Sequence, residues 1–216
     1  MSRNRRNRRV RHALVWLFWL IVAAALARWS AVVALDRDVA SALEPFGRAW
    51  PVVNLIWVLG GVPVTLLAVG GWTFTRRPYR WAALGSFFLG LGIEVLLKIL
   101  IHTPLPRATP EPPFYARLEA ATNVTPQRVL AWVGRLRGTA APVGTASHIL
   151  HGSFPSGHVY RLTLAVGLWC NARPAATWMT GILAGLMVVA TGGHWAVDVM
   201  GGFALARLML AWATPG

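Results

Sequence analysis

Long apolar stretches separated by short charged clusters dominate the chain. A first run extends from about His12 to Leu35, interrupted only by Arg28 near its far end, where the arginine stem can reach the interface. Its basic start, apolar centre and Ala25-Leu26-Ala27 also fit a cleaved signal peptide, but the run resumes over Trp29 to Leu35, which favours a retained helix. Asp36, Arg37, Asp38, Glu44 and Arg48 make 36–50 a polar connection. Further apolar runs cover about Pro51 to Phe74, Trp81 to Ile101, Phe154 to Trp169, Pro174 to Thr191 and His194 to Trp212. A membrane helix needs roughly 20 mostly apolar residues, so the pattern predicts an all-α polytopic protein of six transmembrane helices. The remaining segment, 102–153, is rich in Pro, Arg and small residues. Within it Thr125-Pro126 opens and Gly138 closes a short amphipathic helix, with Val129, Leu130, Val133 and Leu136 on one face. That helix is expected on the membrane surface, either as a lid over a site or as a packed surface element.

Composition agrees with this reading. The 216 residues are 56% hydrophobic and only 13% charged, with a mean hydropathy of +0.51. A basic tail, 1–11, precedes a single transmembrane domain, 12–216, whose 102–153 segment is an outer loop. The formal charge of +14 raises the question of nucleic acid. Six arginines lie in the first eleven residues, directly before an apolar run, where a cytoplasmic tail on anionic headgroups accounts for them. Nucleic acid is therefore not expected as a partner; the lipid bilayer is. Arg76, Arg77, Arg80 and Arg173 fall on the same side as the tail, which puts both termini in the cytoplasm of a multi-pass plasma-membrane protein. The single cysteine, Cys170, permits no intramolecular disulfide and is read as a small core residue. Nothing in the pattern selects an oligomeric state.

This topology gathers the polar residues at one membrane face, the periplasmic or extracellular one. Lys98 falls at the outer end of the third helix, Pro155-Ser156-Gly157-His158 at the start of the fourth, and His194 with Asp198 at the start of the sixth. Ionisable residues at such depth point to function. Residues four apart share a helix face, so Asp198 can hold one ring nitrogen of His194 and leave the other free to attack. Glycine and the amides of a helix start suit an anion, Ser156 adds a hydroxyl, and His158 can give a proton to a leaving oxygen. Glu94, one turn before Lys98, is expected to hold that lysine in an ion pair. His102, His148 and His151 raise a zinc site, but nothing in their spacing brings them together, and they are read as loop residues.

Lys98, Pro155-Ser156-Gly157-His158 and His194 with Asp198, in that order, resemble the three motifs of the type-2 phosphatidic acid phosphatase family, whose site is in turn similar to that of vanadium haloperoxidases. The resemblance covers roughly 81–204. It implies six membrane helices and a metal-free site without a cofactor at the non-cytoplasmic face. His194 would be the nucleophile forming a phosphohistidine, Asp198 its orienter and His158 the general acid. Lys98, Ser156 and the amide of Gly157 would hold phosphoryl oxygens. The substrate implied is a membrane lipid phosphate: a polyprenyl diphosphate, phosphatidic acid, phosphatidylglycerol phosphate or prenyl-linked sugar phosphate. The family's first motif carries arginine where this chain has Leu105, before Pro106. Its third has Ser-Arg where Met187 and Val188 stand. Arg161, one turn beyond His158, and Arg107 are the candidate replacements for those phosphate clamps; an ion pair with Glu94 or a headgroup contact is the other reading of Arg161. A phosphotransferase and a non-catalytic lipid-phosphate-binding relative are the alternative functions.

Overall fold

The structure, a computed structural model, describes residues 3–49, 51–101, 103 and 153–214. Among them every regular element is helical: α1 (Arg3–Leu26), α2 (Ser30–Ala49), a 3-10 turn (Pro51–Asn54), α3 (Leu55–Leu59), α4 (Val62–Thr75), a second 3-10 turn (Arg77–Tyr79), α5 (Arg80–Ile101), α6 (Gly157–Trp169), α7 (Pro174–Ala190) and α8 (Ala196–Ala213). The expected amphipathic helix of the outer loop, Arg107 and the three loop histidines lie outside the described residues. Among the described residues three helices are long and apolar enough to cross a membrane: α1 over Asn7–Leu26, α5 and α8. The other apolar helices are shorter. The 14 residues of α4 rise about 21 Å, against roughly 30 Å of hydrocarbon.

Three expected elements are corrected. The first helix does not run from His12 to Leu35. It starts at Arg3, so the basic tail is already helical, and it ends at Leu26. The amides of Arg28 and Trp29 there bond three residues back, to Ala25 and Leu26, which tightens the last turn and sends the chain off in a new direction. The polar connection is α2 instead. Val32, Asp36, Val39 and Leu43 recur at steps of four, three and four and turn inward, while Arg37 and Asp38 are exposed; a high charge density concealed an amphipathic helix. The second expected helix, Pro51 to Phe74, is broken at Gly60-Gly61, with a proline in the first turn of α4 restarting it.

The bundle is built around α8, which is buried along most of its length and packs against α1, α6 and α5. Without water to expel, membrane helices associate through close packing, and small residues permit it. Gly202 of α8 lies so near the Ser156 carbonyl that a Cβ there would overlap it. Large apolar side chains such as Phe18, Leu67, Phe88 and Ile182 face outward, as on a lipid-facing surface. Toward the other end of α8, buried Arg207 donates to Thr177 Oγ1 at 2.6 Å and to His12 Nε2 at 3.3 Å, and lies over the Trp16 ring, joining α1, α7 and α8.

Candidate active site

Four segments meet where α6 and α8 begin. Ser156 is the N-cap of α6, its hydroxyl accepting from the Val159 amide, and its own amide donates to the Asp198 carbonyl at 2.9 Å. The second and third sequence regions are thus joined through the backbone. Upstream, Thr103 and Ser153 hydrogen-bond through backbone and side chains. Residues 103 and 153 are therefore neighbours, just ahead of α6.

His194 is not on a helix, contrary to expectation, because α8 starts at Ala196. The turn Thr191–Trp195 carries Gly192 at φ 72°, a conformation glycine adopts without strain, and folds back so that the Gly193 and His194 amides both donate to the Val188 carbonyl. Asp198 Oδ2 then accepts from the Trp195 amide at 2.9 Å and contacts His194 Nδ1 at 3.3 Å. One carboxylate both caps α8 and holds the histidine, so the pairing comes from N-terminal capping geometry and not from a shared helix face. A neutral His194 donating from Nδ1 keeps the lone pair of Nε2 free.

The His158 ring lies 6.3 Å from that of His194, centre to centre. His158 is buried, and its Nε2 has no hydrogen-bond partner among the described residues. Below them, Glu94 of α5 takes two cations: Lys98 Nζ on Oε1 and Arg161 Nη1 on Oε2, each at 2.8 Å. The expected Glu94–Lys98 pair is present. Arg161 joins it, and its Nε also donates to the Gly60 carbonyl at 2.8 Å. The ion pair with Glu94, one of the two readings of Arg161, is therefore formed. One carboxylate against two cations leaves the cluster net positive, and Glu94 and Arg161 are buried with Lys98 part-buried beside them, so its field is weakly screened. Gly157 adjoins this cluster, since a Cβ on it would overlap Glu94 Oε1 and press on Arg161.

Three contributors carried no signal in the sequence. Trp57 of α3 meets His158 edge-on at 4.5 Å and lies nearly parallel to His194 at 6.4 Å. Gly60, at the break after α3, faces the His158 backbone so closely that a Cβ would lie 2.9 Å from it. Asp36 of α2, buried, accepts from the Val197 amide at 3.3 Å and so supports the first turn of α8. A cluster of adjacent Trp and Gly residues in an apolar run reads as membrane helix, and an Asp between Leu and Arg reads as loop; only contact distinguishes them.

Chemically, the cluster offers an imidazole held at Nδ1 with Nε2 left free, a second imidazole 6.3 Å away, and two cations on one carboxylate. The PAP2 superfamily model matches residues 79–215. The fold is similar to that of a transmembrane PAP2-type phosphatidylglycerolphosphate phosphatase from Bacillus subtilis, known from a crystal structure. The two share 19% identity over 92% of each chain, with a TM-score of 0.58. No curated protein matches the chain.

Proposed function

The chain belongs to the PAP2 superfamily, and with that membership and the paired histidines as premises we propose that it is an integral-membrane lipid phosphatase acting through a phosphohistidine. The observation that carries this is the arrangement of the rings: His194 held by Asp198, with His158 6.3 Å away and its buried Nε2 without a hydrogen-bond partner among the described residues. His194 Nε2 attacks phosphorus, the bond to the lipid oxygen breaks, and His158 protonates that oxygen as it leaves. In the second step His158 takes a proton from water, the water oxygen bonds to phosphorus, and the phosphorus–nitrogen bond breaks to release phosphate and neutral His194. The Glu94-linked cations Lys98 and Arg161, with Ser156 and the Gly157 amide at the start of α6, stabilise the charge of the transferring group. Arg107 is a further cation that the 102–153 segment can contribute. This chemistry calls on no metal or cofactor.

The substrate is a membrane lipid phosphomonoester or diphosphate. The B. subtilis neighbour's activity on phosphatidylglycerolphosphate makes that lipid a first choice for assay, beside polyprenyl diphosphate, phosphatidic acid and prenyl-linked sugar phosphate. The arginine distribution favours a multi-pass plasma-membrane protein with cytoplasmic termini and the site on the outer face. Phosphate release by protein purified in detergent, with EDTA present, tests the proposal. Wild type should release phosphate from at least one of these lipids, and His194→Ala should abolish release. Arg161→Ala should lower it by about 10²-fold, the usual cost of removing one donor to transition-state charge. Release that persists in folded His194→Ala rules out the nucleophile. Loss of wild-type activity with EDTA rules out the metal-free mechanism. Folded wild type that hydrolyses none of these lipids leaves transfer to an acceptor hydroxyl, or binding alone, as the function.

A further inference from the structure

We propose that the indole N–H of Trp57 is a hydrogen-bond donor to a phosphoryl oxygen of the substrate. It supplies part of the stabilisation that the two motif positions without arginine, Leu105 and Val188, cannot give. The proposal rests on the phosphatase reading above and adds a contact from α3, a segment outside the residues that the family model matches.

The indole nitrogen is donor only and normally finds a partner when buried. Trp57 is 8% exposed, yet among the described residues its buried Nε1 has no hydrogen-bond partner, nor has Nε2 of His158, whose ring it meets edge-on at 4.5 Å. Two orphaned ring nitrogens on touching rings, beside the nucleophile candidate, mark a place suited to an acceptor-rich group. A buried donor left unpaired costs free energy, which a phosphoryl oxygen would recover.

The ring is also fixed in orientation. Its Cζ2–Cη2 edge, the side of the six-membered ring adjoining Nε1, abuts Gly193 so closely that a Cβ at that position would overlap it, and Gly193 directly precedes His194. The His158 ring packs edge-on against the indole, and three residues on Arg161 Nε holds the Gly60 carbonyl. Site residues thus hold α3 at its middle and just past its end, which prearranges its N–H before substrate arrives. Val188, by contrast, is fully buried and uses its carbonyl to close the Gly193-His194 turn.

The test compares Trp57→Phe with wild type on a short-chain lipid phosphate, with orthovanadate and inorganic phosphate as inhibitors. Loss of the donor should lower kcat/KM by about 10- to 100-fold and weaken vanadate by a similar factor, because vanadate resembles the five-coordinate transition state. Inorganic phosphate should weaken as well, which separates recognition of the phosphoryl group from recognition of the lipid. Phe also shrinks the ring, so β-(3-benzothienyl)alanine at position 57 serves as the second variant: it keeps the bicyclic shape and puts sulfur where the N–H was. It should show the same loss. Wild-type kcat/KM and vanadate affinity in the benzothienyl variant, to within twofold, overturn the proposal whatever the Phe variant does, and leave Trp57 as packing alone. His194→Ala run alongside separates the two levels: if it still releases phosphate the site reading fails, and if it is inactive while the Trp57 variants are unaffected only the Trp57 assignment fails.

Discussion

Glu94 is the residue on which the charge balance of the site turns. It alone, among the described residues, faces both Lys98 and Arg161, and all three are largely removed from solvent. Removing one partner from such a group leaves uncompensated charge in a region that cannot solvate it. Glu94→Ala should therefore cost roughly 3–5 kcal/mol of stability, read as a lowered Tm in detergent. Arg161→Ala, which leaves Glu94 paired with Lys98, should cost clearly less. A Glu94→Ala protein as stable as wild type would mean that the two cations find other partners. The spacing of Glu94 and Lys98, one turn apart, made their pair legible in the sequence. The second pair stood in the sequence only as one of two readings of Arg161, because that residue lies 67 positions away and only the approach of α6 to α5 makes it a neighbour.

Among the elements, the break between α3 and α4 does what a continuous helix could not. Gly60 interrupts the helix, offers its carbonyl to Arg161, and lets the His158 backbone come so close that a Cβ would sit 2.9 Å from it. Gly60→Ala should thus push His158 or α3 out of position. Misplacement by about 1 Å can cost on the order of 100-fold in rate, so kcat/KM should fall at least tenfold, with a Tm change of only a few degrees. Activity within twofold of wild type would show that the break relaxes freely. The start of α8 is a second composite: Asp198 caps the helix while touching His194, and Asp36 reaches its first turn from α2.

At the scale of the whole molecule, α8 joins the site to the bundle, and its contact with residues 154–156 depends on glycines. Gly202→Leu would drive a side chain into the Ser156 carbonyl and separate the second and third motif regions. Loss of both cooperative unfolding and phosphate release is expected, whereas Leu186→Ala, on the outward face of α7, should leave both close to wild type. The hydrophobic pattern by itself determined the helical class, and motif spacing placed Lys98, Ser156 to His158, and His194 with Asp198 at the ends of apolar runs. These were legible because helix length and capping are local properties, set by residues within a turn of one another. The split of the first apolar run, the helix hidden in 36–50, the pairing of Arg161 with Glu94 and the approach of Trp57 to both histidines were decided only by the tertiary structure. Each depends on which side chain a distant segment brings near, and the free energy of a buried charge or an unpaired donor is fixed by that neighbour and not by its own stretch of chain.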